Sequence, residues 1–110
     1  MERLVKGDII VLEFPFSNLV QFKRRPALII KIPKGGDLIV SQITGKSQEP
    51  SLEVLINKKD FRDGELKIDS YLRLDKIFSL ERSLVKYKIG SLKQEKFNEI
   101  MGKIVSFLKY

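Results

Sequence analysis

The chain has 110 residues, 43% hydrophobic and 32% charged, with no Cys, no His and a formal net charge of +7. That length and balance describe one folded domain, 1–110, with a single core. Paired-histidine catalysis, His-based triads, thiolate chemistry and disulfides are excluded, and a zinc site would need carboxylates alone.

The excess of 21 Lys and Arg over 14 Asp and Glu either draws a polyanion, nucleic acid first, or serves solubility on solvated faces. No apolar run reaches the roughly 18 residues of a membrane span. The opening MERLVKGDII lacks a signal peptide's long apolar stretch and reads directly as a strand, and the absence of Cys suits the cytoplasmic protein expected.

In chain order, Gly7 turns the backbone into Asp8–Glu13 (DIIVLE), a strand rich in Ile, Val and Leu. The segment Phe14, Pro15, Phe16, Ser17, Asn18 leads into a loop expected to end at Lys23, Arg24, Arg25, Pro26. Further strands are predicted at Ala27–Ile32, Asp37–Ile43, Leu52–Ile56 and Tyr71–Leu74, the first two joined by a hairpin turn at Lys34–Asp37 whose paired glycines supply positive φ. Leu80–Ile89 reads as a short helix or turn, with Ser79 as its cap, followed by a strand over Val85–Ile89. The period then changes. Phe97, Ile100, Met101, Ile104, Val105 and Leu108 form the stripe of an amphipathic helix laid on the core, with Ser91 and Gln94 as a capping box. Short strands at this spacing, closed by one helix, predict a mainly β sandwich or small barrel with a C-terminal amphipathic α-helix.

Three stretches carry candidate chemistry. Lys23, Arg24 and Arg25 repel one another and ask for a counter-charge, which a phosphodiester would supply; a solvated cationic loop is the plainer reading. Arg25 precedes Pro26, which biases it to extended backbone at the start of a strand. Ser41, Gln42, Ile43, Thr44, Gly45 and Lys46 run a strand out into a glycine turn with hydroxyl, amide and amine groups together, although Thr is also simply a good strand residue. Ser70, Arg73, Asp75 and Lys76 end a strand among charges, and a surface Arg–Asp pair there contributes at most about 1 kcal/mol.

The segments KGDII, FPFSN, RRPALII, SQIT, SYLRLDKIF and KIGSL, followed by a terminal helix, together resemble the MazF/PemK toxins of bacterial toxin–antitoxin pairs, in order and over essentially the whole chain. The resemblance implies an SH3-like barrel of the MazF, CcdB and Kid type, acting as a homodimer. It further implies metal-independent cleavage of single-stranded RNA, restrained by a cognate antitoxin. The family's catalytic Arg, directly before Pro, corresponds to Arg25, and its catalytic Thr to Thr44; Ser70 corresponds to a residue of the site wall. Two departures bear on the RNA sequence cut: Leu19, Val20, Gln21 and Phe22 stand where many relatives carry Gly and Ser, and Gly45 follows Thr44 where many carry Ser.

RNA brings its own nucleophile, the 2′-hydroxyl, so a protein has to align it and stabilise charge on the phosphorane-like transition state. The guanidinium of Arg25 suits the second task, and Thr44 suits holding a phosphate oxygen or the 2′-hydroxyl. No cofactor is expected. Substrate would be held by Ser17, Asn18, Lys23, Arg24, Gln42, Lys46 and Ser70, with Phe16 and Phe22 stacking bases; for Phe16, a plain core position is the stronger reading. The alternative is a non-catalytic inhibitor or binding module on the same fold. A gyrase poison resembling CcdB would act through C-terminal residues including Trp, and this chain has no Trp and ends in Phe107, Leu108, Lys109, Tyr110.

Overall fold

Gly7, at φ 96°, joins three strands through its backbone: its N–H donates to the carbonyl of Ile29 (2.8 Å) and its carbonyl accepts from the N–H of Leu92 (3.0 Å). The positive φ suits glycine alone among common residues and turns the chain from its N-terminal segment into the first strand. The computed structural model describes residues 3–15 and 22–110, with the backbone alone at Phe14, Pro15, Phe22 and Lys23.

Within that range the strands are β1 (Asp8–Pro15), β2 (Phe22–Lys31), β3 (Leu38–Thr44), β4 (Glu53–Ile56), β5 (Phe61–Gly64), β6 (Ser70–Leu80) and β7 (Val85–Leu92), followed by α1 (Gln94–Lys109). They form a curled antiparallel sheet in the order β4-β6-β3-β2-β1-β7-β5, the small SH3-like barrel expected. The turn at Gly35 and Gly36 is as predicted, with φ of 107° and 95°.

Alternation sends side chains to two apolar layers. Ile9, Leu28, Ile43, Ile56 and Leu72 pack beneath α1 with its Phe97, Ile100 and Ile104. Ile10, Leu12, Ala27, Ile29 and Val40 form the second layer with Leu4, Leu38 and Val85.

The structure corrects several expectations. β2 begins at Phe22 and not at Ala27, so Lys23, Arg24 and Arg25 lie within a strand instead of at a loop's end. Pairing with Ile9–Pro15 of β1 extends it, since Leu12, Glu13 and Phe14 give the cationic residues ladder partners. β5 was not anticipated: FRDG is short and charged, and carries little strand signal. Ser79 lies inside β6 and caps nothing; the intervening turn is a single 3-10 turn at Arg82–Leu84.

Ser91 is likewise not the helix cap, which falls at Lys93 with no side-chain cap hydrogen bond. Ser91 ends up buried in β7, where its hydroxyl donates to Asp8 Oδ1 (2.6 Å). The same carboxylate accepts the N–H of Val5 (2.9 Å) and stands 3.6 Å from Lys88 Nζ. A buried carboxylate is tolerable only when its lone pairs are met this way.

The helix stripe is narrower than its periodicity suggested. Phe97, Ile100 and Ile104 are buried and Met101 partly so, but Val105 and Leu108 are 56% and 67% exposed. Val105 sits about 100° round the helix from Ile104, off the buried face.

Candidate functional site

Arg24 and Arg25 are neighbours in β2 and therefore point to opposite faces of the sheet. Arg24 pairs across β1 with Glu13 and its Nε stands 3.6 Å from Glu13 Oε2. Lys86 Nζ is also 3.6 Å from that carboxylate. Part of the counter-charge that the cationic run seemed to require is thus a residue of the chain itself, in exposed contacts of small energetic weight.

Arg25 pairs across β1 with Leu12, which puts its side chain on the second apolar layer's face. On its other side β2 is in register with β3 as Ala27↔Gln42, Leu28↔Ser41 and Ile29↔Val40. Arg25 lies two residues before Ala27 and Thr44 two residues after Gln42, so both continue past the last β2–β3 pair on the face of Leu12, and Thr44 faces Tyr71 on β6. Arg25, Thr44 and Tyr71 thus form one row across three strands at the sheet's rim, with Gln42, nearly buried, in the row behind. Thr44 Oγ1 has only marginal contacts, 3.4 and 3.5 Å to the N–H and carbonyl of Lys46, so its hydroxyl is poorly occupied. Lys46 is exposed beside it.

Behind this row β6 departs from regular pairing. Ile43 faces Leu72, yet Ser41 faces Ile77, so residues 73–76 of β6 stand against the single residue Gln42. Irregularities of this kind re-aim side chains. Here the bulge carries Arg73 and Asp75, joined by two parallel hydrogen bonds: Nε to Oδ1 and Nη2 to Oδ2, each 2.9 Å. A third donor, Nη1, reaches Gln48 Oε1 at 3.3 Å, and the Arg73 carbonyl accepts the buried Ser41 hydroxyl at 2.7 Å.

The sequence reading of Arg73 and Asp75 as a surface pair is corrected, since the Arg73 side chain is only 9% exposed. The forked bond to Asp75 raises the Arg73 pKa above its ordinary value, and the same bond holds the Asp75 carboxyl below the usual carboxylate range.

Next to Arg73 across β4 stands Glu53. Its carboxylate accepts the Ser47 hydroxyl (2.6 Å) and the N–H groups of Gln48 (2.8 Å) and Glu49 (3.1 Å). These bonds, the Gln48 N–H first and the Ser47 hydroxyl next, hold the Glu53 pKa below its ordinary value. Sequence reasoning missed Glu53 because its partners are mostly backbone groups of a loop. Arg73-x-Asp75 did carry a signal, because residues two apart in a strand share a face.

Ser70 and Arg24 lie apart from this row. Ser70 is buried, bonded through its hydroxyl to the Ile68 carbonyl (3.0 Å), and pairs with Ile56 of the helix-covered layer. With Arg24, Pro26, Gly45, Ile68 and Tyr87 it lines an open groove of about 570 Å³ on that face. Phe22 and Lys23 belong to β2 by backbone, and Phe16, Ser17 and Asn18 lie outside the described residues. Among the described residues no group of three or more Asp and Glu gathers as metal ligands.

The chain is a member of the PemK-like, MazF-like toxin family of type II toxin–antitoxin systems, whose model matches residues 5–108. No curated protein matches it by sequence.

Among solved structures it resembles an endoribonuclease in complex with its cognate antitoxin from a Mycobacterial species (14% identity, 97% of this chain and 96% of that one, TM-score 0.75). It also resembles the Mycobacterium tuberculosis toxin MazF-mt6 (19% identity, 93% and 96%, TM-score 0.72). A third is MazF of a MazE–MazF complex from Deinococcus radiodurans (21% identity, 98% of each chain, TM-score 0.74). At these identities the likeness is one of fold.

Proposed function

We infer that this toxin is an endoribonuclease that cuts single-stranded RNA without metal, acting as a cytoplasmic homodimer held in check by an acidic cognate antitoxin. The observation that supports the reading is the rim row, in which Arg25 and Thr44 share one face just beyond the last β2–β3 pair and the Thr44 hydroxyl has, among the described residues, only long contacts to Lys46. In the reaction the 2′-hydroxyl loses its proton, the bond from O2′ to phosphorus forms, the bond to O5′ breaks, and the 5′-oxygen is protonated. The products are a 2′,3′-cyclic phosphate and a 5′-hydroxyl.

Arg25 stabilises charge on the phosphoryl oxygens, and Thr44 orients a phosphate oxygen or the 2′-hydroxyl. With a pKa above about 12 a guanidinium is a poor base at neutral pH, so charge stabilisation is its main role. Gln42 and Lys46 contribute to RNA binding beside the row and Arg24 from the opposite face of the sheet, and the net charge of +7 favours a polyanionic substrate. Support for control by an antitoxin comes from the family and from the complexes formed by its structural neighbours.

The decisive experiment incubates the purified protein with a long unstructured RNA in EDTA and assays the new 5′ ends. Cleavage leaving 5′-hydroxyl groups is expected. Activity that appears only with added divalent metal overturns the mechanism, and no cleavage under any condition favours a binding module on the same fold.

A further inference from the structure

A carboxylate close to the path of a polyanion is an electrostatic liability, because like charges repel over these distances. On the RNA-cleavage reading, Glu53 is such a group, since it binds the loop that follows Thr44. It stands at the start of β4, opposite Arg73, and binds the segment that follows Thr44 directly. Its two oxygens accept hydrogen bonds from three consecutive residues, Ser47, Gln48 and Glu49. The Gln48 side chain is held in turn by Arg73, which Asp75 fixes with its forked bond.

Loop position is therefore set from β4 and β6. Thr44 does not set it, because its own contacts with Lys46 are too long to restrain anything.

We propose that Glu53 is a positioning residue for RNA binding: its carboxylate clamps residues 47–49 so that Lys46, beside Thr44, is presented to substrate in one arrangement. This rests on the RNA-cleavage reading of the rim row. Order in a loop before binding lowers the entropy lost on binding, so the clamp contributes to affinity although Glu53 need not touch the RNA. Its negative charge is offset by three donors and by the neighbouring guanidinium, which is how a basic site accommodates it.

The proposal differs in sign from simple electrostatics. If only charge mattered, removing a carboxylate beside a phosphodiester path would tighten RNA binding. If Glu53 is a clamp, removing it weakens binding.

The test uses the full chain with Glu53→Ala, Glu53→Gln and Ser47→Ala. Binding is measured with a single-stranded oligonucleotide made non-cleavable by 2′-deoxy substitution, and cleavage with its ribose counterpart. Hydrogen exchange is followed at the Gln48 and Glu49 amides, with core-strand amides as the measure of folding.

In Glu53→Ala, exchange at Gln48 and Glu49 should quicken by about tenfold or more with core amides unchanged, and Kd and KM for RNA should rise by about tenfold while kcat changes less than roughly threefold. Glu53→Gln, which keeps one acceptor oxygen, should fall between. Ser47→Ala, which removes one donor, should shift in the same direction by less and serves if Glu53→Ala fails to fold.

Tighter RNA binding in Glu53→Ala, or unchanged protection at Gln48 and Glu49, overturns the proposal. A wild-type protein that binds no RNA overturns the cleavage reading and the role of Glu53 in it, while amide exchange still decides whether the clamp exists.

Discussion

Gly64 of β5 and Gly90 of β7 face each other so closely that neither can carry a Cβ. One built on Gly64 would lie 2.6 Å from the Cα of Gly90, and one built on Gly90 would lie 2.9 Å from the Cα of Gly64. Both obstacles are backbone, which cannot swing aside as a side chain can, and Gly64 also holds φ at 76°.

Gly90→Ala should therefore destabilise the protein by about 2–4 kcal/mol through overpacking. Gly102→Ala is the control: that glycine sits in α1 with nothing within 4 Å of a built Cβ, and the change should stabilise by about 0.5–1 kcal/mol. Urea denaturation of the two variants, read as midpoint and slope, checks both signs. A Gly90→Ala protein as stable as wild type would show that β5 can separate from β7 at little cost.

The split of Arg24 and Arg25 across the sheet predicts unequal roles in RNA cleavage. Arg25→Ala should cost about 3 kcal/mol or more in the cleavage step, and Arg25→Lys should restore little of it, because a point charge does not replace a forked donor. Arg24→Ala should chiefly weaken binding and reduce its salt dependence. Single-turnover rates and Kd measured at several salt concentrations separate the two. An essential Arg24 with a dispensable Arg25 would place the chemistry on the opposite, helix-covered face.

Acid should loosen the clamped loop at lower pH than ordinary carboxylates titrate. Glu53 and Asp75 both have folded pKa values below their unfolded ones, the first through the Gln48 N–H and Ser47 hydroxyl, the second through Arg73. The sign follows from linkage: the unfolded chain takes up these protons at higher pH than the folded one. The stabilisation is complete above the unfolded range, about pH 4, and is lost as pH falls through the lower folded values. The Gln48 and Glu49 amide resonances should titrate below that range, and a midpoint at or above it would contradict the hydrogen bonds to Glu53.

Much of this fold is legible in the sequence because strong apolar runs leave few alternatives. Ala27–Ile30, Leu38, Val40 and Ile43 are buried in the two layers, and the paired glycines between these strands mark the turn. Long-range pairing decided what local signals did not. Lys23, Arg24 and Arg25 have no strand signature, yet β1 pairs with them. Ser91 has the spacing of a helix cap, but a buried Asp8 83 residues away takes its hydroxyl.

The candidate site divides in the same way. Arg25 and Thr44 stand out by residue type and resemblance, and both lie on one face of the sheet beyond the Ala27–Gln42 pair. The roles of Glu53 and Gln48 depend on a loop geometry that no spacing encodes. Arg73 looked exposed because nothing in the sequence announces that β6 bulges against Gln42.

The sheet order has a consequence for synthesis. β1, the first strand made, lies between β2 and β7, and β7 is the last. Until residues 85–92 are available, the outer edge of β1 has unpaired backbone groups, and Asp8 lacks the hydroxyl of Ser91. The nascent chain thus cannot complete its barrel from the N-terminus onward, and closure over so long a sequence separation is intrinsically slow. The last strand of the chain is the one that covers the first, so the barrel reaches its final form only when residues 85–92 are in place.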